Sequence, residues 1–354
     1  MPGELFRDHV LIRDEKEGSQ VYNKGYYGTP QSGGGLSISL IEAVYLAEND
    51  KLQVEKSGKA VELEKLIKYA HRMHPNFEIK TIVYRDLRQR GYVVKMGDTI
   101  DFRVYPRGGI PNKTPSKYWV LALSERVIFK LRELAESISR TSDVRKELML
   151  AVVDEESDIT YYGVKRMKPK GNQMSQKSEK KIEGLLLNDR VIVLNRDNAE
   201  FLHRSEFYGR MMGSKYLQLS LIESAYLMER GVLTVKNSKT GKELDIGKFK
   251  QFAKKIQKDF DIRLMVYQDL RSQGIIAKTG FKYGAHFRGY EKDPDTDHAR
   301  YLVHAVPEDY ISTWPEISRA VRLAHGVKKD IVFGRCRGGT DGAVEYIGLR
   351  RMRP

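Results

Sequence analysis

The strongest constraint on this chain is that it repeats itself. SLIEAVYLAE, starting at Ser39, returns as SLIESAYLME at Ser220, and VYRDLRQRGYVVKMG (83–97) returns as VYQDLRSQGIIAKTG (266–280). SDVRKELML (142–150) pairs with HGVKKDIVF (325–333), and YGVKRMKP (162–169) with IGLRRMRP (347–354). The offsets are 181, 183, 183 and 185 residues, so the copies are collinear and differ by small insertions. A period this long makes each copy a domain-sized unit, not a solenoid turn. Between them KPKGNQMSQKSEKKIEG (168–184) is polar, lysine-rich and without apolar periodicity, as a flexible linker is. The expected layout is a first copy over 1–169, a linker over 170–184 with its boundary near residue 178, and a second copy over 185–354.

Each copy has the same coarse pattern. LSISLIEAVYLAEN and LQLSLIESAYLMERG carry apolar residues at helical spacing. The VYRDLRQRG and VYQDLRSQG segments predict helices stopped at Gly91 and Gly274, each followed by a strand. Apolar runs then predict strands at DFRVY, YWVLAL and LMLAVV in the first copy, and at HFRGY, YLVHAV and DIVFG in the second. A helix is expected between the last two strands of each. The fold class is therefore α+β: two tandem copies of a two-part unit, each with a helical N-terminal part and a sheet-rich C-terminal part. In the second copy these parts are 185–262 and 263–354.

Charge narrows the class of partner. Lys and Arg number 62 against 47 Asp and Glu, a net charge of +15, and such a surface attracts polyanions, nucleic acid above all. No apolar run approaches the ~18 residues a bilayer span requires, so no membrane partner is expected. The N-terminal MPGELFRDHV lacks a charged-then-apolar signal pattern. One cysteine, Cys336, excludes an internal disulfide and a cysteine-based zinc site, and fits a reducing cytoplasm.

The histidines are unevenly shared. None of the eight lies between His74 and His203, whereas His286, His298, His304 and His325 fall within forty residues of the second copy. FRGYEKDPDTDHARYLV (287–303) has the imidazole that its relative FRVYPRGGIPNKTPSKYWV (102–120) lacks. RNA cleavage by the ribose 2′-hydroxyl requires a base, an acid for the departing 5′-oxygen and a cation at the phosphorane, and no metal or other cofactor. Histidine serves as acid or base near neutrality, and lysine supplies charge where it develops. Tyrosine, with a pKa of about 10, is a poor base unless cations lower it. Tyr290 at a strand end, His298 after a polar loop and Lys329, at the end of the helix beginning near Pro315, offer these groups. Spacing alone leaves each as readily a surface tyrosine, a solvated loop histidine and a helix-terminal cation. His71 and His74 are three apart on an expected helix, but no carboxylate or cysteine companion marks a metal site, and none is assigned.

The segments HFRGYEK, DHARYLVHAVPED, EISRAVRLAHGVKKDIVF and VYQDLRSQGIIAKTGFKYG resemble the archaeal tRNA-splicing endonucleases, over nearly the whole chain. Two tandem copies, one degenerate, resemble the homodimeric form of that family. The resemblance implies catalysis by Tyr290 as general base, His298 as general acid and Lys329 as transition-state cation. It implies cutting of precursor tRNA at a bulge-helix-bulge, with 2′,3′-cyclic phosphate and 5′-hydroxyl ends. Aligning Lys117-Tyr118 with Arg300-Tyr301 sets Pro115 opposite His298, so the first copy keeps Tyr105 and Lys146 but has no acid: a pseudo-catalytic unit. The resemblance also implies an arginine pair that pinches a bulge base, Arg322 with Arg350 by strand parity with Tyr346, or with Arg351. It further implies that an acidic loop, Asp154, Glu155, Glu156 and Asp158, contacts the partner subunit.

Three rivals stand beside this reading. One is a binding subunit that needs a separate catalytic partner. A second is a metal-dependent nuclease, for which EKDPDTD is the single carboxylate candidate in the second copy. The third is a structural RNA-binding protein.

Overall fold

A computed structural model describes residues 1–143, 145–173, 181–338 and 342–354. The expected boundary near residue 178 lies outside the described residues. The junction is not wholly free on its described side: the N–H of Gly171 donates to Gln273 O, that of Asn172 to Glu291 O and that of Gln173 to Gly274 O. Gly171 and Gly274 approach so closely that a Cβ on Gly171 would stand 2.1 Å from the Gly274 oxygen. The first strand of the second copy, Ile182–Leu186, begins within the 170–184 span.

Each N-terminal part holds helices and also a six-stranded sheet that apolar periodicity does not single out. Its strands run only two to five residues, too short for alternation to stand out from loops. The LSIS and LQLS segments, expected as the beginning of helices, are strands Leu36–Ser39 and Tyr216–Ser220, and the helices run Leu40–Glu48 and Leu221–Glu229. A capping box sets each boundary: Ser39 and Ser220 accept the N–H of Glu42 and Glu223, whose carboxylates reach back to the serine N–H groups. Those two glutamates are buried and also bind the N–H of Gly28 and Gly209.

The helices Phe77–Gln89 and Phe260–Ser272 lead into the C-terminal parts, the second crossing the 262/263 division. Gly91 and Gly274 take positive φ just past their ends, where a side chain would be strained. Strands follow as expected: Phe102–Val104, Tyr118–Ser124 and Glu147–Val153, then Phe287–Tyr290, Tyr301–Val306 and Asp330–Cys336. The intervening helices are Leu131–Asp143 and Trp314–Gly326.

The two copies share one ten-stranded sheet. Its middle is the antiparallel pair Ile159–Met167 and Val344–Met352. Val164 opposes Leu349, its own counterpart at offset 185, so a pseudo-twofold axis passes through that pair. A second small pairing, Phe129 with Ser312, lies at offset 183 and is likewise self-equivalent. One apolar core therefore belongs to both copies: Phe129, Ile138 and Tyr162 pack with Trp314, Phe333 and Leu349. Trp314 meets Phe129 edge-on at 5.4 Å and stacks on Tyr162 at 5.7 Å. Charge crosses the seam as well, because Glu345 accepts from Arg166 at 2.7 Å and from buried Arg335 at 3.0 Å. Among the described residues, no helix is long and apolar enough to cross a membrane.

Candidate active site

Strand order gathers the three expected groups at one end of the sheet. Phe287–Tyr290 runs antiparallel to Tyr301–Val306, which runs parallel to Asp330–Cys336. Gly289 opposes Tyr301 and Tyr301 opposes Asp330, so one strand ends where the other two begin. Tyr290 is the last residue of the first strand; His298 and Lys329 shortly precede the other two. Two backbone bonds stitch this end: Arg300 N–H to Gly289 O and Asp330 N–H to Arg300 O, both 2.9 Å.

Tyr290 is buried, packed with Ile276 and Ala299 and flanked by Phe207 from the N-terminal part. Burial pushes its phenol above the ordinary tyrosine range, while Arg288 pulls it back. The Arg288 guanidinium lies 5.7 Å from the Tyr290 ring centre and 6.0 Å from that of Tyr283. Lys329 Nζ lies 6.0 Å from the Tyr283 ring on its own approach. Arg288 thus neighbours both Tyr290 and Tyr283, and Tyr283 also neighbours Lys329. Sequence reasoning did not single them out; Arg288 was legible as the second residue of the Phe-Arg-x-Tyr strand.

His298 has an exposed ring. It follows a compact turn in which Asp293 O accepts from Asp297 N–H at 2.9 Å and Asp293 Oδ1 from Asp295 N–H at 2.8 Å. Lys329 is not on the helix where it was expected. The helix stops at Gly326; Lys328 takes a left-handed φ of 54°, and Lys329 N–H returns to Ala324 O at 2.9 Å. This turn places the lysine one residue before a strand, half-buried. It lines a cleft with Arg300, His325, Lys328, Arg350 and Arg351. Tyr290 and His298 are at the same sheet end but do not line that cleft. Among the described residues, no group of three or more His, Cys, Asp and Glu side chains is placed to hold a metal ion.

The first copy repeats the frame. Tyr118 opposes Val104 on one side and Glu147 on the other, and Lys117 N–H donates to Val104 O at 2.8 Å. Tyr105, exposed Pro115 and Lys146 occupy the corresponding places.

Strand parity separates the two C-terminal arginines. Leu349 and Ile347 pack in the core shared with helix Trp314–Gly326, and Arg351 opposes Tyr162, which stacks on Trp314. Arg351 therefore shares the face of Arg322. Arg350 alternates to the opposite face with Tyr346, whose hydroxyl donates to Asp269, and it approaches Glu147 at 3.8 Å. The first copy shows how near the relevant positions are. Arg166, the counterpart of Arg351, donates to Ser139 Oγ, the counterpart of Arg322, at 2.9 Å.

The acidic residues Asp154, Glu155, Glu156 and Asp158 form an exposed hairpin turn. Asp154 Oδ1 accepts the N–H groups of Glu156 and Asp158, and Glu155 pairs with Arg126 at 2.7 Å. Of the flanking histidines, His325 lines the lysine cleft. His286 sits at the far end of its strand; its Nδ1 accepts from Ala305 N–H, and its ring is 5.7 Å from that of His304. Burial pushes both imidazoles down to about 4. His71 pairs with Glu78 at 3.3 Å.

Comparison with known proteins agrees with the duplicated plan. The family described as tRNA intron endonuclease, catalytic C-terminal domain, matches residues 77–161 and again 260–346. The N-terminal domain of the same enzymes matches 1–67 and 182–250. The chain is 43% identical to a tRNA-splicing endonuclease of Methanococcoides burtonii over all of both chains. It is 40% identical to that of Methanosarcina mazei, over 99% of this chain and 98% of the other. A Halobacterium salinarum protein of the same name is 32% identical over the full length of both.

Proposed function

The chain belongs to the tRNA intron endonuclease family, and from that premise we propose that it cuts precursor tRNA at both exon–intron junctions of a bulge-helix-bulge, in the cytoplasm and without a metal. The ribose 2′-hydroxyl forms the new bond to phosphorus and the bond to the 5′-oxygen breaks. This leaves a 2′,3′-cyclic phosphate on one product and a 5′-hydroxyl on the other. Tyr290 takes the 2′-proton, His298 gives a proton to the departing oxygen, and Lys329 meets the charge on the phosphorane. Burial raises the phenol, so its own proton must first leave to solvent; the resulting anion, which Arg288 favours, is the form that takes the 2′-proton. The observation that carries this reading is the shared sheet end of Tyr290, His298 and Lys329, set against the same frame with Pro115 in the first copy.

One live site per chain makes a two-cut substrate a task for a homodimer. The exposed acidic turn at Asp154–Asp158 and the cation-lined cleft at Lys329 have the opposite charges such a contact requires. Arg322 and Arg351 are the pair assigned to an unpaired base, on the strength of the Arg166–Ser139 contact between their counterparts. The test is cleavage of a bulge-helix-bulge RNA in excess EDTA, with end-group analysis. Wild-type cutting with cyclic phosphate ends, lost in His298→Ala, is the expected result. Undiminished cutting by the variant would refute the assignment, and sedimentation of the wild type checks the dimer.

A further inference from the structure

Three catalytic side chains borne on three different strand ends need something to hold those ends in register, and one side chain, rooted beside one of those ends, reaches the other two. Resting on the reading above, we infer that Arg300 is a positioning residue, which with Glu291 and Asp330 clamps the segments bearing Tyr290, His298 and Lys329. Glu291 directly follows Tyr290, Arg300 stands two residues after His298, and Asp330 directly follows Lys329. Arg300 Nη1 donates to Glu291 Oε1 at 2.9 Å, and its Nε lies 3.6 Å from Asp330 Oδ2. The same Glu291 oxygen accepts the Tyr301 hydroxyl at 2.7 Å, and Arg300 covers the Tyr301 ring at 5.4 Å. With burial around it and Glu291 against it, the Tyr301 phenol is pushed up to about 12, so it stays a donor. The planar fork of an arginine can serve two carboxylates at once, which an ammonium on a flexible stem does poorly.

The first copy lacks the clamp along with the acid. Pro106 stands where Glu291 does and offers no carboxylate. Lys117, the counterpart of Arg300, lies over its own neighbour Tyr118 at 4.8 Å, and Glu147, the counterpart of Asp330, also approaches Arg350 at 3.8 Å. The network is thus confined to the copy with a complete set of reacting groups. The inter-copy segment also reaches it, because Asn172 N–H donates to Glu291 O at 2.9 Å.

The experiment is single-turnover cleavage of a bulge-helix-bulge RNA by the full chain, comparing Arg300→Met, Glu291→Gln, their double variant and His298→Ala. Misplacement of reacting groups by about 1 Å costs about 100-fold, so each clamp variant is expected to lower kcat by about 10- to 100-fold with KM within about twofold. The double variant is expected to be no slower than the worse single, because both remove one device. If Arg300→Met instead raises KM, leaves kcat alone and reduces the salt slope of binding by about one, Arg300 is a phosphate contact and the clamp is refuted. Full activity of both single variants beside an inactive His298→Ala refutes the clamp and keeps the endonuclease reading. Activity in His298→Ala overturns that reading and the clamp with it.

Discussion

The two sheet ends, one at Tyr290 and one at Tyr105, are built on the same strand frame and differ in what is attached to it. Both join three strand ends by the same pair of backbone bonds, Arg300 to Gly289 and Asp330 to Arg300 in one, Lys117 to Val104 and Glu147 to Lys117 in the other. In the second copy a polar loop delivers His298 and an arginine ties two carboxylates. In the first, proline stands at both 106 and 115. On the proposed reading, fold and chemistry are separated within one chain: the frame stands without an imidazole in the first copy because the backbone pairing that forms it uses none of the side chains proposed to react.

The sharpest way to test this contrast is to move its defining residue. His298→Ala is expected to lose at least about 1,000-fold in cleavage rate. Adding Pro115→His to that variant should restore nothing, because Glu291 has no counterpart in the first copy; recovered cleavage would show the frame alone suffices. Next in size is the shared core. Trp314→Ala should cost about 3–5 kcal/mol, read by denaturant melting, and should lower both copies in one transition. Two separate transitions would mean the halves are independent domains. Gly171→Ala follows, at about 1–3 kcal/mol, because the new Cβ meets the Gly274 oxygen. Gly91, with open space around it, should accept no such approach and Gly91→Ala should act only through its positive φ.

A further effect concerns acid. His286 and His304 are held at about 4 by burial, below the 6.5 of a free imidazole. Between those values the unfolded chain binds more protons than the folded one, so stability rises with pH there. It is complete above pH 6.5 and lost as pH falls towards 4. The first copy has Leu121 in the place of His304. His304→Leu should flatten the melting temperature between pH 4.5 and 7; an unchanged slope would assign the acid sensitivity elsewhere.

Much of this was legible in the sequence. The duplication located the strand after Gly91 or Gly274 and the three apolar runs of each C-terminal part, because each occurs twice; the two-residue strands Phe129–Lys130 and Ile311–Ser312 were not singled out. The asymmetry of the histidines separated the two copies. Other features were hidden for physical reasons. The N-terminal sheets consist of strands too short to show a period of two. Lys329 looked helical because its apolar neighbours continue the helix spacing, whereas a left-handed residue at Lys328 ends the helix first. Parity with Tyr346 favoured Arg350 in the sequence, but the pairing of Arg351 with Tyr162 puts Arg351 rather than Arg350 on the face of Arg322. The Glu291–Arg300–Asp330 network joins residues that only a three-strand register brings together.

The self-paired seam at Val164 and Leu349 has a consequence for how this molecule can change. In an assembly of separate identical subunits, each position on a twofold interface must suit its own image, so a substitution appears on both sides at once. Here the partners are encoded apart and held at the high local concentration of a tether. Their encounter does not depend on protein abundance, and each side can vary alone. Arg350 lies opposite Gly163, and Glu345 receives Arg166 from across the axis. Neither pairing has a mirror copy: the reciprocal places hold Lys165 with Gly348, and Thr160 where Glu345 stands.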